Sequence, residues 1–170
     1  MPAAVRADAD TGLTDELSSV VAGARRRALR DGDRQLDTAH LLHSLIEADP
    51  EVRAALGEGA RVARVLGYLV QRSIGYGLRW QGSVEDSGAL PAARALGARA
   101  GPGAGAPGWS PSAAAAMEGA RARARARGEG RAAGVDLLAR LAMDPGCRAV
   151  EVLRRAGVDT GQLGGRMEVG

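Results

Sequence analysis

The sequence predicts an all-α fold built from two copies of one helical unit, and three observations carry that prediction. Apolar residues make up 45 % of the 170 and are mostly Ala, Leu and Val, with no Phe, two Trp and two Tyr. Small aliphatic side chains of this kind suit close helix packing. Apolar positions recur at helical spacings of three, four and seven, and the pattern returns at an offset of 96 places along the chain.

The first helix is marked by Leu17, Val20, Val21, Ala24 and Ala28 on one face, while Arg25, Arg26, Arg27 and Arg30 fall largely elsewhere. Thr14 is a good N-cap for it, and Gly32 lies just past its end, where a left-handed residue is usual. A second helix is expected over Thr38–Ala48, capped by Asp37 or Thr38 and burying Leu41, Leu42, Leu45 and Ile46. Pro50 opens a short third helix ending near Leu56. A fourth, over residues 60–73, carries Val62, Val65, Leu66, Leu69 and Val70.

Residues 75–108 break this pattern with a Gly- and Pro-rich stretch, helical at most over 91–99, which reads as a linker that is flexible at "GPGAGAPG". Periodicity resumes at Trp109. The 96-residue shift sets Leu13-Thr14 over Trp109-Ser110, Ala24 over Ala120, Ala28 over Ala124, Gly32 over Gly128 and Leu41-Leu42 over Leu137-Leu138. With a one-residue slip, Asp49-Pro50 matches Asp144-Pro145. The expected organisation is therefore a tail (1–12), a four-helix repeat (13–74), the linker (75–108), a second four-helix repeat (109–163) and a short C-terminal tail (164–170).

The net charge is only +3, and all 23 basic residues are Arg, a bias that looks like that of a high-GC bacterial coding sequence. The single cysteine, Cys147, has no partner for an internal disulfide. No apolar run reaches the ~18 residues that would span a bilayer, and the N-terminus has no apolar segment of signal-peptide type, so a cytoplasmic location is the expectation.

The order of the short motifs resembles the double Clp N-terminal domain, the repeat at the front of ClpC-, ClpA- and ClpB-type AAA+ unfoldases. The residues that carry the resemblance are Leu13-Thr14, Ala24 to Ala28, Gly32 and "DTAHLL" in the first copy. In the second they are "WSP", "ARARARARGEG", "VDLLARL" and "AVEVLRRAGVD". It covers residues 13–163, apart from the linker. The resemblance implies two pseudo-symmetric four-helix repeats that bind protein segments, adaptors or peptide-like compounds, with no catalysis and no cofactor. The unfoldase motor is missing from this sequence, because a phosphate-binding GxxxxGK[ST] loop cannot be built from a chain without Lys. The family's Thr-Glu-His motif, whose Glu helps hold the guanidinium of phosphoarginine, is matched here by Ala39 and Val135, which supply neither charge nor acceptor. Weak or absent phosphoarginine binding is therefore expected, unless another acid such as Glu85 or Asp136 takes over.

The chemistry-bearing residues read as follows. His40 and His43 are three apart on one helix, but a Zn site needs three or four ligands and the neighbours are Leu, Ser and Ala. His40 is expected in the core or linked to a helix cap, His43 in solvent, and no metal site is assigned. Cys147 lacks a nearby base and is expected to be a buried, inert thiol. The run "RARARAR" at 121–127 raises nucleic-acid binding as the alternative function, yet alternate helical residues lie ~200° apart and give no single basic stripe. The resemblance implies that the two repeat starts lie close together and contribute to an apolar ligand groove. Leu13, Thr14, Trp109 and Ser110 are its candidate residues, with Trp80 in the linker as a possible cover. The expected function is a stand-alone protein-binding module acting as adaptor, decoy or regulator in a Clp unfoldase or protease system. No nucleic-acid or membrane partner is expected.

Overall fold

The structure is a computed structural model that describes residues 12–57, 59–73, 85 and 108–168. Among these residues there are eight helices: α1 (Asp15–Asp31), α2 (Thr38–Ala48), α3 (Pro50–Leu56), α4 (Gly59–Ser73), α5 (Pro111–Ala126), α6 (Gly134–Ala142), α7 (Arg148–Arg155) and α8 (Thr160–Glu168). Two two-residue strands, β1 (Gln35–Leu36) and β2 (Gly108–Trp109), accompany them. The helices divide four and four into the two expected repeats. The proposed helix at 91–99 and the flexible run lie outside the described residues.

The caps repeat as the 96-residue offset demands. Thr14 Oγ1 accepts the Leu17 N–H at the start of α1, and Ser110 Oγ accepts the Ala113 N–H at the start of α5. Gly32 and Gly128 end these helices at φ 71° and 78°. At the first end Asp33 N–H bonds Ala28 O, and at the second Glu129 N–H bonds Ala124 O. A residue with a Cβ would be strained at both sites. Asp49 Oδ1 accepts from the Glu51 N–H, and Asp144 Oδ1 accepts from the Gly146 N–H, so the slipped Asp-Pro match also has the same local geometry in both repeats. α8 continues past Leu163 to Glu168, beyond the point where the apolar pattern fades.

The repeats are not two beads joined by a linker. Each start pairs with the segment before the second helix of the other copy. Leu36 pairs in parallel with Trp109, and Leu13 forms a parallel bridge with Ala132. Ser110 N–H donates to Leu36 O at 2.8 Å and Thr14 N–H to Ala132 O at 2.9 Å, so the exchange is symmetric. These strands depart from a purely helical expectation. Two residues carry no detectable alternation, and it is the docking of the repeats that creates the pairing.

One hydrophobic core runs through both copies. α2 is its centre: it packs against α1, α3, α4, α5, α6 and α7, and every residue from Thr38 to Ile46 is buried. On α4 the apolar face is narrower than the pattern suggested. Val62, Val65 and Leu69 are buried, Leu66 is half-buried, and Val70 is 48 % exposed because it lies on the solvent side of the helix.

The repeats meet without spare room at Gly134, the first residue of α6. A methyl group there would collide with the Asp49 carboxylate and come within 3.2 Å of Leu45 Cδ2. Gly134→Ala is expected to cost about 1–3 kcal/mol, as overpacking does elsewhere, read as a lower urea midpoint. Gly165→Ala, on α8 where a Cβ would meet nothing within 4 Å, should be neutral or slightly stabilising by helix propensity.

Candidate functional site

The polar chemistry of the chain gathers where the N-termini of α2, α5 and α7 converge. Glu85, from the linker, is buried there. Its Oε1 accepts from the Thr38 N–H (2.6 Å) and the Ser110 hydroxyl (2.7 Å). Its Oε2 accepts from the Thr38 hydroxyl (2.6 Å) and the Arg148 N–H (2.8 Å). The Thr38 hydroxyl in turn accepts from the Ala149 N–H at 3.0 Å. A carboxylate facing three helix N-termini satisfies donors that have no partner within their helices and complements the positive ends of the helix dipoles.

Asp37, fully buried, forms the second layer of this junction. It caps α2 by accepting the His40 N–H at 3.0 Å, while its own N–H donates to His40 Nδ1 at 3.0 Å. With Nδ1 used as acceptor, the ring proton is assigned to Nε2, 2.7 Å from Asp33 Oδ2. Asp37 Oδ2 also receives Arg72 from α4 and, at 2.8 Å, Arg148 from α7. Burial by itself would raise the Asp37 carboxyl, but the His40 hydrogen bond and the Arg72 charge outweigh it and hold the group well below the usual carboxylate range.

The second repeat solves the same capping problem differently. Ala133, in the place of Asp37, has no side-chain acceptor, and Asp136, in the place of His40, accepts the Ala133 N–H at 2.9 Å. Asp136 is fully buried. Burial opposes its charge, yet Arg127, bonded to both of its oxygens, and Arg123, with Nε at 3.3 Å, keep its carboxyl low.

His40 is thus a buried, cap-linked histidine, as expected. His43 is not the solvated neighbour the pattern suggested. It is only 5 % exposed, because α2 is enclosed on nearly every side. Burial first, and then the Arg27 charge, push its ring down to about 4, against the pull of Glu47, whose Oε1 is 3.2 Å from Nε2. Asp31, Asp33 and His40 bring three potential ligand atoms within 4.8 Å of one another. That group is knit by protein contacts: His40 to Asp33, Arg72 to Asp33 at 3.4 Å, and the Ser73 hydroxyl to Asp31 at 3.2 Å. Cys147 is buried at the N-cap of α7, and burial pushes its thiol up to about 12, so at neutral pH it is not a nucleophile.

Of the candidate groove residues, Leu13 is buried in the core at 4 % exposure and Ser110 is fully buried as a cap. Thr14 is half-buried, and so is Trp109, which packs against the core. Leu13 and Trp109 occupy pseudo-equivalent places, each paired with the opposite repeat. Trp80 lies outside the described residues. The role of Glu85 is not marked by any local motif. The only sequence signal for it is that Glu85 and Asp86 are the sole acids of a linker otherwise made of Gly, Pro, Ala and Arg-containing segments.

No family model matches the sequence, and no curated protein matches it either. Solved structures do match the fold. The N-terminal domain of the caseinolytic protease associated chaperone ClpD from Arabidopsis thaliana is 18 % identical, with a TM-score of 0.64 over 92 % of each chain. A structure from preliminary investigations of a malarial protein secretion system is 14 % identical, with a TM-score of 0.61, also over 92 % of each chain. The chain has the fold of the Clp N-terminal double repeat.

Proposed function

We propose that this protein is a non-enzymatic, cytoplasmic binding module that acts as adaptor, decoy or regulator in a Clp unfoldase system, taking protein segments or peptide-like compounds. The observation that carries this reading is the match over nearly the whole of both chains to the N-terminal domain of a caseinolytic protease associated chaperone. Support comes also from what the polar groups do. Glu85, Asp37 and Asp136 are each engaged by several protein donors, and these clusters hold helices together rather than present a reactive atom to solvent. Among the described residues no helix is long and apolar enough to cross a membrane. The nucleic-acid alternative loses much of its basis, since Arg121 pairs with Glu118 and both Arg123 and Arg127 are engaged with Asp136.

The test adds the purified chain to a Clp-type unfoldase and protease degrading a fluorescent reporter, with direct binding measured in parallel. Micromolar chain is expected to change the degradation rate; no binding and no change would overturn the reading. Trp109→Ala refines it. If the exposed part of Trp109 is a hot spot, affinity falls by about 30-fold, equivalent to about 2 kcal/mol, with a smaller loss of stability. If Trp109 only seals the junction, stability falls by ~3–5 kcal/mol and affinity per folded molecule is unchanged.

Free phosphoarginine is expected to show no micromolar binding by calorimetry. Ala39 is buried, Val135 offers only methyl groups, and the acids that could replace the missing Glu, Glu85 and Asp136, are buried and fully engaged. Micromolar affinity would show that one of these clusters opens to admit a guanidinium.

A further inference from the structure

The α1–α2 face of the first repeat holds an open groove of about 520 Å³ that lies apart from the Glu85 and Asp37 clusters. Arg26, Arg27 and Arg30 line it from α1, and Ser44 and Glu47 from α2. Arg27 is tied to Glu47, whereas Arg26 and Arg30 are exposed, with Arg30 Nε no closer than 3.8 Å to Asp31. Ser44 is 5 % exposed, and among the described residues its hydroxyl meets no hydrogen-bond partner. Buried hydroxyls are ordinarily satisfied, so an unpartnered one in the wall of a cationic groove marks a place for a ligand acceptor. Gly23 keeps that place open: a methyl group there would stand 3.1 Å from Ser44 Oγ.

The second repeat provides an internal comparison. At the same offset, Gly119 and Arg140 replace Gly23 and Ser44, and Ala122 and Ala126 replace Arg26 and Arg30. There the Arg140 side chain lies across Gly119, so that a methyl on Gly119 would collide with its guanidinium. In the second copy the protein's own Arg140 side chain occupies this place, and Ala stands at both positions of the exposed arginines. Among the described residues the first copy combines open space, two exposed arginines one turn apart and an unsatisfied buried hydroxyl.

We propose that this groove binds an acidic peptide segment of a protein partner. Arg26 and Arg30 are one helical turn apart, about 6 Å along the axis. That spacing matches carboxylates at alternate positions of an extended segment, about 6.8 Å apart, better than a single small oxyanion. Guanidinium groups hold carboxylates in charge-assisted pairs, and the Ser44 hydroxyl supplies a neutral donor at the floor. The proposal rests on the protein-binding reading above and narrows the partner's chemistry.

The experiment measures fluorescence anisotropy of a labelled ten-residue peptide alternating Glu and Ala, with a Gln–Ala peptide as control. The Glu peptide is expected to bind at least about tenfold more tightly and to weaken as salt is raised. The double variant Arg26→Ala/Arg30→Ala should lose about tenfold or more, and Ser44→Ala a few-fold, with unchanged thermal midpoints. Equal binding of the two peptides, or full retention in the double variant, overturns the proposal. So does displacement by submillimolar inorganic phosphate, which would make this a phosphate site, or tighter Arg26- and Arg30-dependent binding of a single-stranded oligonucleotide. The two readings fail separately. Effect on the unfoldase without peptide binding removes the groove alone, and Arg-dependent peptide binding without any effect on the unfoldase keeps the groove and removes the Clp assignment.

Discussion

Glu85→Leu is expected to destabilise the protein by about 3–5 kcal/mol, among the larger effects available to a single substitution here. The carboxylate accepts from Thr38 and from Ser110 and Arg148, so it bonds the first repeat to the second through the N-termini of three helices. Leu would leave two backbone N–H groups and two hydroxyls facing an apolar side chain, and buried donors without partners are costly. Glu85→Gln keeps the shape but turns an NH₂ toward at least one donor, so it should cost an intermediate amount. Urea titrations of the three proteins give the ordering, and a second readout follows from the position of the residue. If Glu85 couples the repeats, the Leu variant should lose two-state behaviour, with hydrogen exchange in α7 accelerating ahead of exchange in α1. Unchanged midpoints in both variants would show that the linker carboxylate is a passenger on a junction held by packing alone.

The contrast between what was legible in the sequence and what was not follows from interaction range. Helix starts and stops at Thr14, Gly32, Asp37, Pro50 and Ser110 were readable because caps and turns are local chemistry, decided within four residues. The repeat was readable because small residues such as Ala24 and Ala120 return at a fixed distance. Burial of His43 was not, since it depends on how many helices surround α2 rather than on the pattern of α2 itself. The exposure of Val70 has the same origin: α4 has fewer neighbours than its apolar count suggests. The strand exchange and the Glu85 cluster join residues 25 to 119 places apart, and no short-range rule brings such partners together. The same limit applies to the candidate groove: the sequence marked Leu13 and Trp109 as equivalent, but how deeply each is buried is set by the docking of the repeats.

Asp37 carries the second large effect, and its pH dependence separates charge from shape. The carboxylate caps α2 and faces two guanidinium groups, Arg72 and Arg148, from opposite repeats. Asp37→Asn retains the cap but not the charge, leaving two cations beside a neutral amide. Asp37→Ala removes both. Losses of about 2–3 kcal/mol for Asn and about 3–5 kcal/mol for Ala are expected at pH 7. Because the folded carboxyl is held below its unfolded value, the folded state binds the proton less readily than the unfolded chain. The stability it contributes is therefore complete above the unfolded value of about 4 and is lost as the pH falls below it. Denaturation midpoints of wild type and Asp37→Asn should accordingly stay apart from pH 7 down to about pH 5 and converge at lower pH. Arg148→Met provides the cross-check, since it removes the inter-repeat partner and leaves Arg72. In that background Asp37→Asn should cost less than in the wild type, a coupling expected between residues that share one charge network. The absence of a gap between wild type and Asn at any pH would mean that Asp37 acts through its cap alone. The junction between the repeats would then owe its stability to the apolar face of α2.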